Sequence, residues 1–499
     1  MAMIPRFLVT ISVAALVIFA APIPRASATS AYDLPDIGSP ADAVLSKSQA
    51  EQIGRSVLLR LRVDGQVLED PELDEYLDSI GHRLVAQAHE GDQEFTFFLV
   101  NEKVINAFAL PGGYIGVNTG LILQTQRESE LAGVMAHEIA HVTQKHIARR
   151  ASAQSRSSML AAAAVLAAIL MGATGTADAN VIQATAMSAQ AFAVQQSINY
   201  TRVNEYEADR VGLQILHNAN FDPYGMPDFF ETMGRLTGSW GNRVPEFLLT
   251  HPISSTRIAE TRSRADQLPP TTVTESREYP LMRERLRVLG AESSIEIVEY
   301  YQDALEKSPE PYPYLRYGYG LALIRDGRAD DAVPIFHELR ESDDSVIAYH
   351  SALGQALMAS GQPNESLIVF QDALKLFPRN VPLTIRYAEA LMWAKQYDQA
   401  HAILLDLFNN VPPTATQVRL IANAAGGAGE NAEAHYYMAE YYLLNGNVMM
   451  AVDQLNQALS QPDLQAVQRA RFEARKAQLV PYLPKNHPDR PSSAEAKPD

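Results

Sequence analysis

Cysteine is absent from all 499 positions. That excludes disulfide frameworks, thiolate zinc fingers, iron–sulfur clusters, a cysteine nucleophile and a lipid-modified N-terminal cysteine. Any transition-metal site must therefore draw on the twelve histidines and on carboxylates. An excess of basic charge is also absent. The net charge is −17, a poor basis for tracking phosphate backbones, so no nucleic-acid partner is expected. Nor is there an apolar run long enough to span a bilayer, which takes ~20 residues. Phe7 to Ala21 and Met159 to Met171 are both shorter.

What is there reads as globular. Apolar residues make up 47% and charged residues 20%, and the length suits two or three domains. Arg6, the apolar stretch from Phe7 to Ala21 and the small-x-small Ala26-Ser27-Ala28 form a secretory signal over residues 1–28. Cleavage near Ala28 would remove two arginines and no acid, making the chain still more acidic. Lack of cysteine suits an exported protein, and a bacterial periplasm is the expected compartment. The Ala-rich run 159–171 is expected to be a buried or mobile helix, with peripheral membrane contact or client contact as the sharper alternative.

From about Ser46 the pattern mixes helices and strands. Leu73, Leu77, Ile80 and Leu84 repeat at helical spacing behind Asp70-Pro71. Phe95–Val100, Val104–Leu110 and Tyr114–Asn118 read as strands, with a turn at Pro111-Gly112-Gly113. A long helix follows, for which Thr125 and Glu128 form a candidate capping box. A second helical stretch covers roughly Asn180 to Ala219. Pro269-Pro270 marks a boundary. Beyond it Ala332, Ser366 and Ala400 lie 34 residues apart, as do Phe336, Phe370 and Leu404, and the turn positions Gly327, Gly361 and Lys395. That period is the signature of tetratricopeptide repeats, helical hairpins stacked around a groove. About four repeats are expected over 290–482. One break is expected, a Gly-rich loop from Pro412 to Glu430, and a disordered tail over 485–499.

The chemistry lies in His137-Glu138-Ile139-Ala140-His141. On a helix, residues i and i+4 share a face, so both imidazoles can reach one ion. Glu138 lies about 100° around, where it addresses a water rather than the ion. This is the H-E-x-x-H arrangement of zinc hydrolases, with zinc first and cobalt or manganese compatible. Two histidines hold a divalent ion weakly, so a further His, Asp or Glu is required. Glu205 and Asp209, again i and i+4, offer one carboxylate for the metal and one to orient a ligand histidine.

These motifs together resemble the M48 family of zinc metallopeptidases. The resemblance rests on HEIAH, on Glu205 and Asp209 about sixty residues later, on Asn106 to Ile115, on Ser129 to Ala132 and on His146. It covers about residues 46–268. It implies a mainly α (α+β) chain: a zincin-like domain with a small sheet, followed by the helical repeat solenoid. It implies one zinc ion held by His137, His141 and Glu205, Glu138 as general base, and Asp209 behind the ligands. His146 is expected to be structural. Behind a signal and ahead of repeats, the pattern resembles more narrowly the periplasmic β-barrel assembly-enhancing proteases. That likeness implies an endopeptidase and chaperone for misfolded or stalled outer-membrane proteins, docked on the barrel-assembly machinery through its repeats. A mainly chaperone or adaptor role is the alternative. In that group the histidine matched by His251, in Thr250-His251-Pro252, can fill the zinc's open position. A loop histidine without metal contact, or one that touches substrate, are the alternatives. Arg257 is a candidate electrostatic support. Asn106, Ala107, Phe108 and Ala109 are the candidate substrate-pairing strand, with Tyr114–Asn118 as an alternative.

Overall fold

The computed structural model describes residues 45–88, 93–152, 202–239, 245–270, 273, 276–310, 312–484 and 486–490. The signal segment, the run 159–171 and most of the stretch from Asn180 lie outside them. All described residues fall within one compact unit, Pro40–Asp499.

Four strands form one sheet: β1 (Val67–Leu68), β2 (Thr96–Val100), β3 (Ala107–Leu110) and β4 (Tyr114–Asn118), in the order β1-β2-β4-β3. The pair β2–β4 is parallel, the other two pairs are antiparallel, and β3 is an edge. Side chains alternate across a strand, and here both sets are apolar. Phe97, Leu99, Ala107, Ala109, Ile115 and Val117 join the main core. Phe98, Val100, Phe108 and Leu110 pack instead on Val57, Leu58 and Leu61 of α1 (Lys47–Val63). A sheet buried on both faces needs cover on both, and α1 supplies one side.

Helix α2 (Pro71–Val85) begins as read: Asp70 caps it, accepting from the Leu73 amide at 3.2 Å, and Pro71 opens the first turn. The motif helix α4 (Glu128–Thr143) follows α3 (Thr119–Gln124). The capping box at Thr125 is not formed. Thr125 ends α3, and its hydroxyl bonds the carbonyls of Leu121 and Ile122 and Tyr279 Oη. A tertiary contact from Tyr279 has taken the group that sequence spacing assigned to the cap. Every residue of α4 except Val142 is buried. Lys145, at φ 52°, turns the chain into α5 (His146–Ser152).

Three further helices complete the N-terminal part: α6 (Arg202–Asn218), α7 (Gly225–Ser239) and α9 (Ser255–Ala265), with the short α8 (Glu246–Thr250) between the last two. Helix α6 crosses α4 at Gly212, where a Cβ would lie 3.1 Å from the Ala136 backbone and the His137 Cα. A side chain there would press on the α4 backbone, so glycine favours the close approach that brings the helices carrying His137, His141 and Glu205 together.

The rest is helical. Helices α10 (Glu278–Leu289) and α11 (Ser294–Lys307) precede the hairpins α12–α13 (Pro313–Arg325, Ala329–Ser342), α14–α15 (Ile347–Ala359, Pro363–Leu376) and α16–α17 (Val381–Trp393, Tyr397–Phe408). Residues 412–430 do not form a Gly-rich break. They contain α18 (Ala415–Gly427), paired with α19 (Asn431–Leu444). The left-handed turn positions Gly327, Gly361 and Lys395 continue at Gly429, so the 34-residue period is kept there. Gly427 is a contact, not a loop signal: a Cβ would sit 2.3 Å from the Tyr397 ring. Helices α20 (Val448–Leu459) and α21 (Ala466–Leu479) close the array. Residues 486–490, assigned to the tail by composition, fold back, with Asp489 accepting from Lys476 and Asn456 at 2.6 and 2.8 Å.

One apolar cluster runs from the sheet and α4 into the first hairpins, taking in Leu131, Met135, Tyr279, Tyr317 and Tyr349. Beside it, α2 meets the repeats through buried charge. Arg285 donates twice to Asp70, both at 2.7 Å, and pairs with Glu72 at 2.9 Å. Arg386 donates to both Glu72 oxygens at 3.0 and 2.7 Å, and Ser351 to one at 2.5 Å.

Candidate metal centre

His137 and His141 project from α4, Glu205 from α6, and His251 from the residue that ends α8. All four are buried. One potential ligand atom from each lies within 4.8 Å of all the others. His137 Nε2 is 3.0 Å from His141 Nε2, 3.3 Å from His251 Nδ1 and 3.5 Å from Glu205 Oε2. His141 Nε2 is 3.5 Å from Glu205 Oε1, and His251 Nδ1 is 3.2 Å from Glu205 Oε2. Four ligands at ~2.0–2.1 Å from a tetrahedral ion are separated by about 3.3–3.4 Å. The observed spread brackets that value, so three imidazoles and a carboxylate fit a tetrahedral metal. Glu138 adds an independent sign. Its carboxylate is wholly buried with no side-chain donor bonded to it; only the Ala109 amide addresses it, and His251 Nε2 lies 3.4 Å away. A carboxylate left so is costly unless it serves something in the site.

Asp209 and Arg257 stand behind the ligands. Asp209 Oδ1 is 3.0 Å from His137 Nδ1. Arg257 donates two bonds of 2.7 Å to Asp209, lies 3.0 Å from Glu205 Oε2 and donates to the Pro252 carbonyl at 2.8 Å. One guanidinium thus ties both α6 carboxylates to the backbone beside His251. Arg257 faces the two carboxylates of α6. The edge strand is close as well. The Ala109 amide addresses Glu138, and Phe247 of α8 donates its amide to the Ile105 carbonyl at 3.2 Å. Asn106 to Ala109 are all buried, with Asn106 accepting from the Asn118 amide at 3.0 Å.

A profile of Peptidase family M48 matches residues 71–265, and a tetratricopeptide-repeat profile matches 357–424. The beta-barrel assembly-enhancing protease of Escherichia coli (strain K12) is 32% identical over 455 residues, covering 91% of this chain and 92% of that protein. A Vibrio cholerae relative named after the same protease is 34% identical over 478 residues, covering 95% and 98%. The chain belongs to peptidase family M48. More distant is the Arabidopsis thaliana mitochondrial metalloendopeptidase OMA1, 28% identical over 194 residues, which cover 39% of this chain and 36% of that one. The chain is accordingly a metallopeptidase with an appended repeat array.

The electrostatics of this M48 site follow from burial against pairing. Burial would lower the His137 imidazole, but its bonds to Asp209 and Glu205 outweigh that and raise it to about 9. Burial and the neighbouring His137 hold His141 well below its ordinary value. Burial works against the Glu205 charge, yet His251, His137 and His141 keep its carboxyl well below the usual range. Glu138 goes the other way, its carboxyl raised by burial.

Three residues near the M48 site have a part that sequence reasoning missed. His146 Nδ1 is 2.8 Å from His141 Nδ1, and His146 Nε2 is 3.2 Å from Glu207 Oε2, which also accepts from Arg149 at 2.9 Å. A helical wheel puts His146 on another face from His141, but the wheel fails at Lys145, where the chain reverses. No signal in the sequence marks a left-handed lysine. The spacing of Glu207, two residues past Glu205, was the available hint.

Proposed function

We propose that this chain is a zinc-dependent endopeptidase of the periplasm, acting in quality control and assembly of outer-membrane β-barrel proteins. The observation that carries the reading is the tetrahedral spacing of His137, His141, Glu205 and His251 beside the buried carboxylate of Glu138. We assign residues 1–28 to a signal removed near Ala28, 46–268 to the peptidase part and 290–482 to the repeats. Relatives named for β-barrel assembly match nearly the full length, which supports misassembled barrel proteins as clients and the assembly machinery as the partner of the repeats. Peripheral membrane contact through 159–171 belongs to this proposal and lies outside the described residues.

In this reading His137, His141 and Glu205 hold one zinc ion. Bound there, zinc supplies a Lewis acid that acidifies water and polarises a peptide carbonyl. Glu138 takes the proton from the attacking water and delivers it to the leaving amine. Asp209 and Arg257 fix the orientation of His137 and Glu205. An extended client lies along the β3 edge, Asn106 to Ala109, adding one strand. With a metal bound, His251 would compete with water for a place on it, and α8 is tied through Phe247 to Ile105, two residues before β3. Displacing α8 therefore frees the metal and the strand together. The closed arrangement also favours a second reading, in which the chain acts mostly as a chaperone or adaptor and cleaves rarely.

Glu138→Gln tests the mechanism. The variant should keep its zinc and bind clients but lose cleavage of casein or of an unfolded barrel protein. Cleavage at the wild-type rate would sink it.

A further inference from the structure

We propose that His146, backed by Glu207 and Arg149, is a positioning residue for the zinc ligand His141. This rests on the metal reading above. The two ligand imidazoles of α4 point their Nε2 atoms at each other and at Glu205, so each Nδ1 faces away from the cluster. A ring that ligates through Nε2 carries its proton on Nδ1, and a buried N–H requires an acceptor. For His137 the carboxylate in reach is Asp209, with Oδ1 3.0 Å from Nδ1 and gripped by Arg257. For His141 the atom in reach is His146 Nδ1, at 2.8 Å. His146 must then hold its own proton on Nε2, and that atom faces Glu207 Oε2 at 3.2 Å. Arg149 donates to the same oxygen at 2.9 Å.

Both imidazole donors in this chain point outward, from ligand to histidine to carboxylate, and the Arg149 guanidinium donates back to that carboxylate. It repeats the Asp209–Arg257 arrangement with one imidazole inserted. The purpose is the same in both: one tautomer, one ring orientation, a more basic ligand. His146 is as fully buried as His141. It is delivered by the reversal at Lys145 (φ 52°), a conformation lysine adopts at a cost. Glu207 and Arg149 form only a partly exposed pair, with side chains 27% and 45% accessible, which contributes little to stability. What the pair does is polarise His146.

The test uses the full-length protein as wild type, His146→Phe, His146→Gln and Glu207→Gln. Zinc retained against a chelator series is measured, together with the visible spectrum of the cobalt-substituted forms and the melting of chelator-treated protein. His146→Phe should release zinc about 10–100-fold more readily and alter the cobalt spectrum. His146→Gln, whose amide can accept from His141 and donate to Glu207, should restore most of the retention. Glu207→Gln, should His146→Phe fail to fold, should show a smaller loss with unchanged melting. Wild-type zinc retention and an unchanged spectrum in the Phe and Glu207 variants would overturn the proposal. So would a loss that tracks a drop in melting of the chelator-treated forms, since that marks packing alone. A wild-type protein that holds no zinc would overturn the metal reading with it.

Discussion

Glu72→Gln attacks the joint between the peptidase helix α2 and the repeats. The Glu72 carboxylate is buried, takes two bonds from Arg386 and one from Ser351, and pairs with Arg285. Removing its charge leaves Arg285 facing Asp70, and Arg386 facing Asp70 and the more exposed Glu389. Breaking a buried pair by removing one partner costs about 3–5 kcal/mol. Glutamine still accepts from Ser351, which puts the substitution near 3 kcal/mol, against a total stability of ~5–15 kcal/mol for a typical fold. Burial works against the Glu72 charge, but Arg285 and Arg386 overcome it and hold the carboxyl far below its usual value. A depressed carboxylate gives stability that is full above its unfolded value, about 4.5, and is lost only as pH falls toward the folded one. At pH 7 the whole contribution is present. Denaturant unfolding at pH 7, followed by circular dichroism, should show the midpoint fall by an amount equivalent to about 3 kcal/mol. The wild-type advantage should shrink below about pH 4 as the carboxyl protonates in the unfolded chain. A midpoint within ~0.5 kcal/mol of wild type at pH 7, the range of a neutral surface change, would refute the reasoning.

His251→Ala should raise basal cleavage, by about tenfold if the open form is ~10% populated, and a peptidase assay with a quenched-fluorescence substrate reads it. A fall in rate would instead make His251 part of the catalytic machinery. On α2, Asp74 is pushed up to about 8, by burial first and then by Asp70, Glu69 and Asp78. A raised carboxyl binds more protons folded than unfolded, so it costs stability as pH rises from about 4 through 8. Asp74→Asn should flatten that decline in a series of thermal melts, and an unaltered slope would remove Asp74 from the account.

The parts of the fold legible in the sequence are those set by short-range pattern. β4 runs from Tyr114 to Asn118 as expected, because alternation and the glycine turn before it are local. His137, His141, Glu205 and Asp209 come together because i, i+4 spacing fixes a helix face, and a glycine at 212 closes the crossing. Where the sequence misled, a distant partner had changed the meaning of a local sign. Tyr279, 154 residues away, takes the hydroxyl of Thr125. Tyr397 explains the glycine at 427, which composition alone assigns to a loop. His146 depended on one left-handed residue. The Asp70–Glu72–Arg285–Arg386 cluster was invisible, since partners up to 316 residues apart share no pattern.

The apolar cluster that runs from α4 into the first hairpins has a consequence for the order of manufacture. A chain is made from its N-terminus, and its early parts ordinarily fold first. Here Leu131 and Met135 share their core with Tyr317 and Tyr349, which are made about two hundred residues later. Arg285 and Arg386, which neutralise α2, also arrive late. The motif helix therefore cannot settle into its final packing until much of the repeat array has been synthesised. The metallopeptidase part is thus finished only after the repeats appended to it have been made.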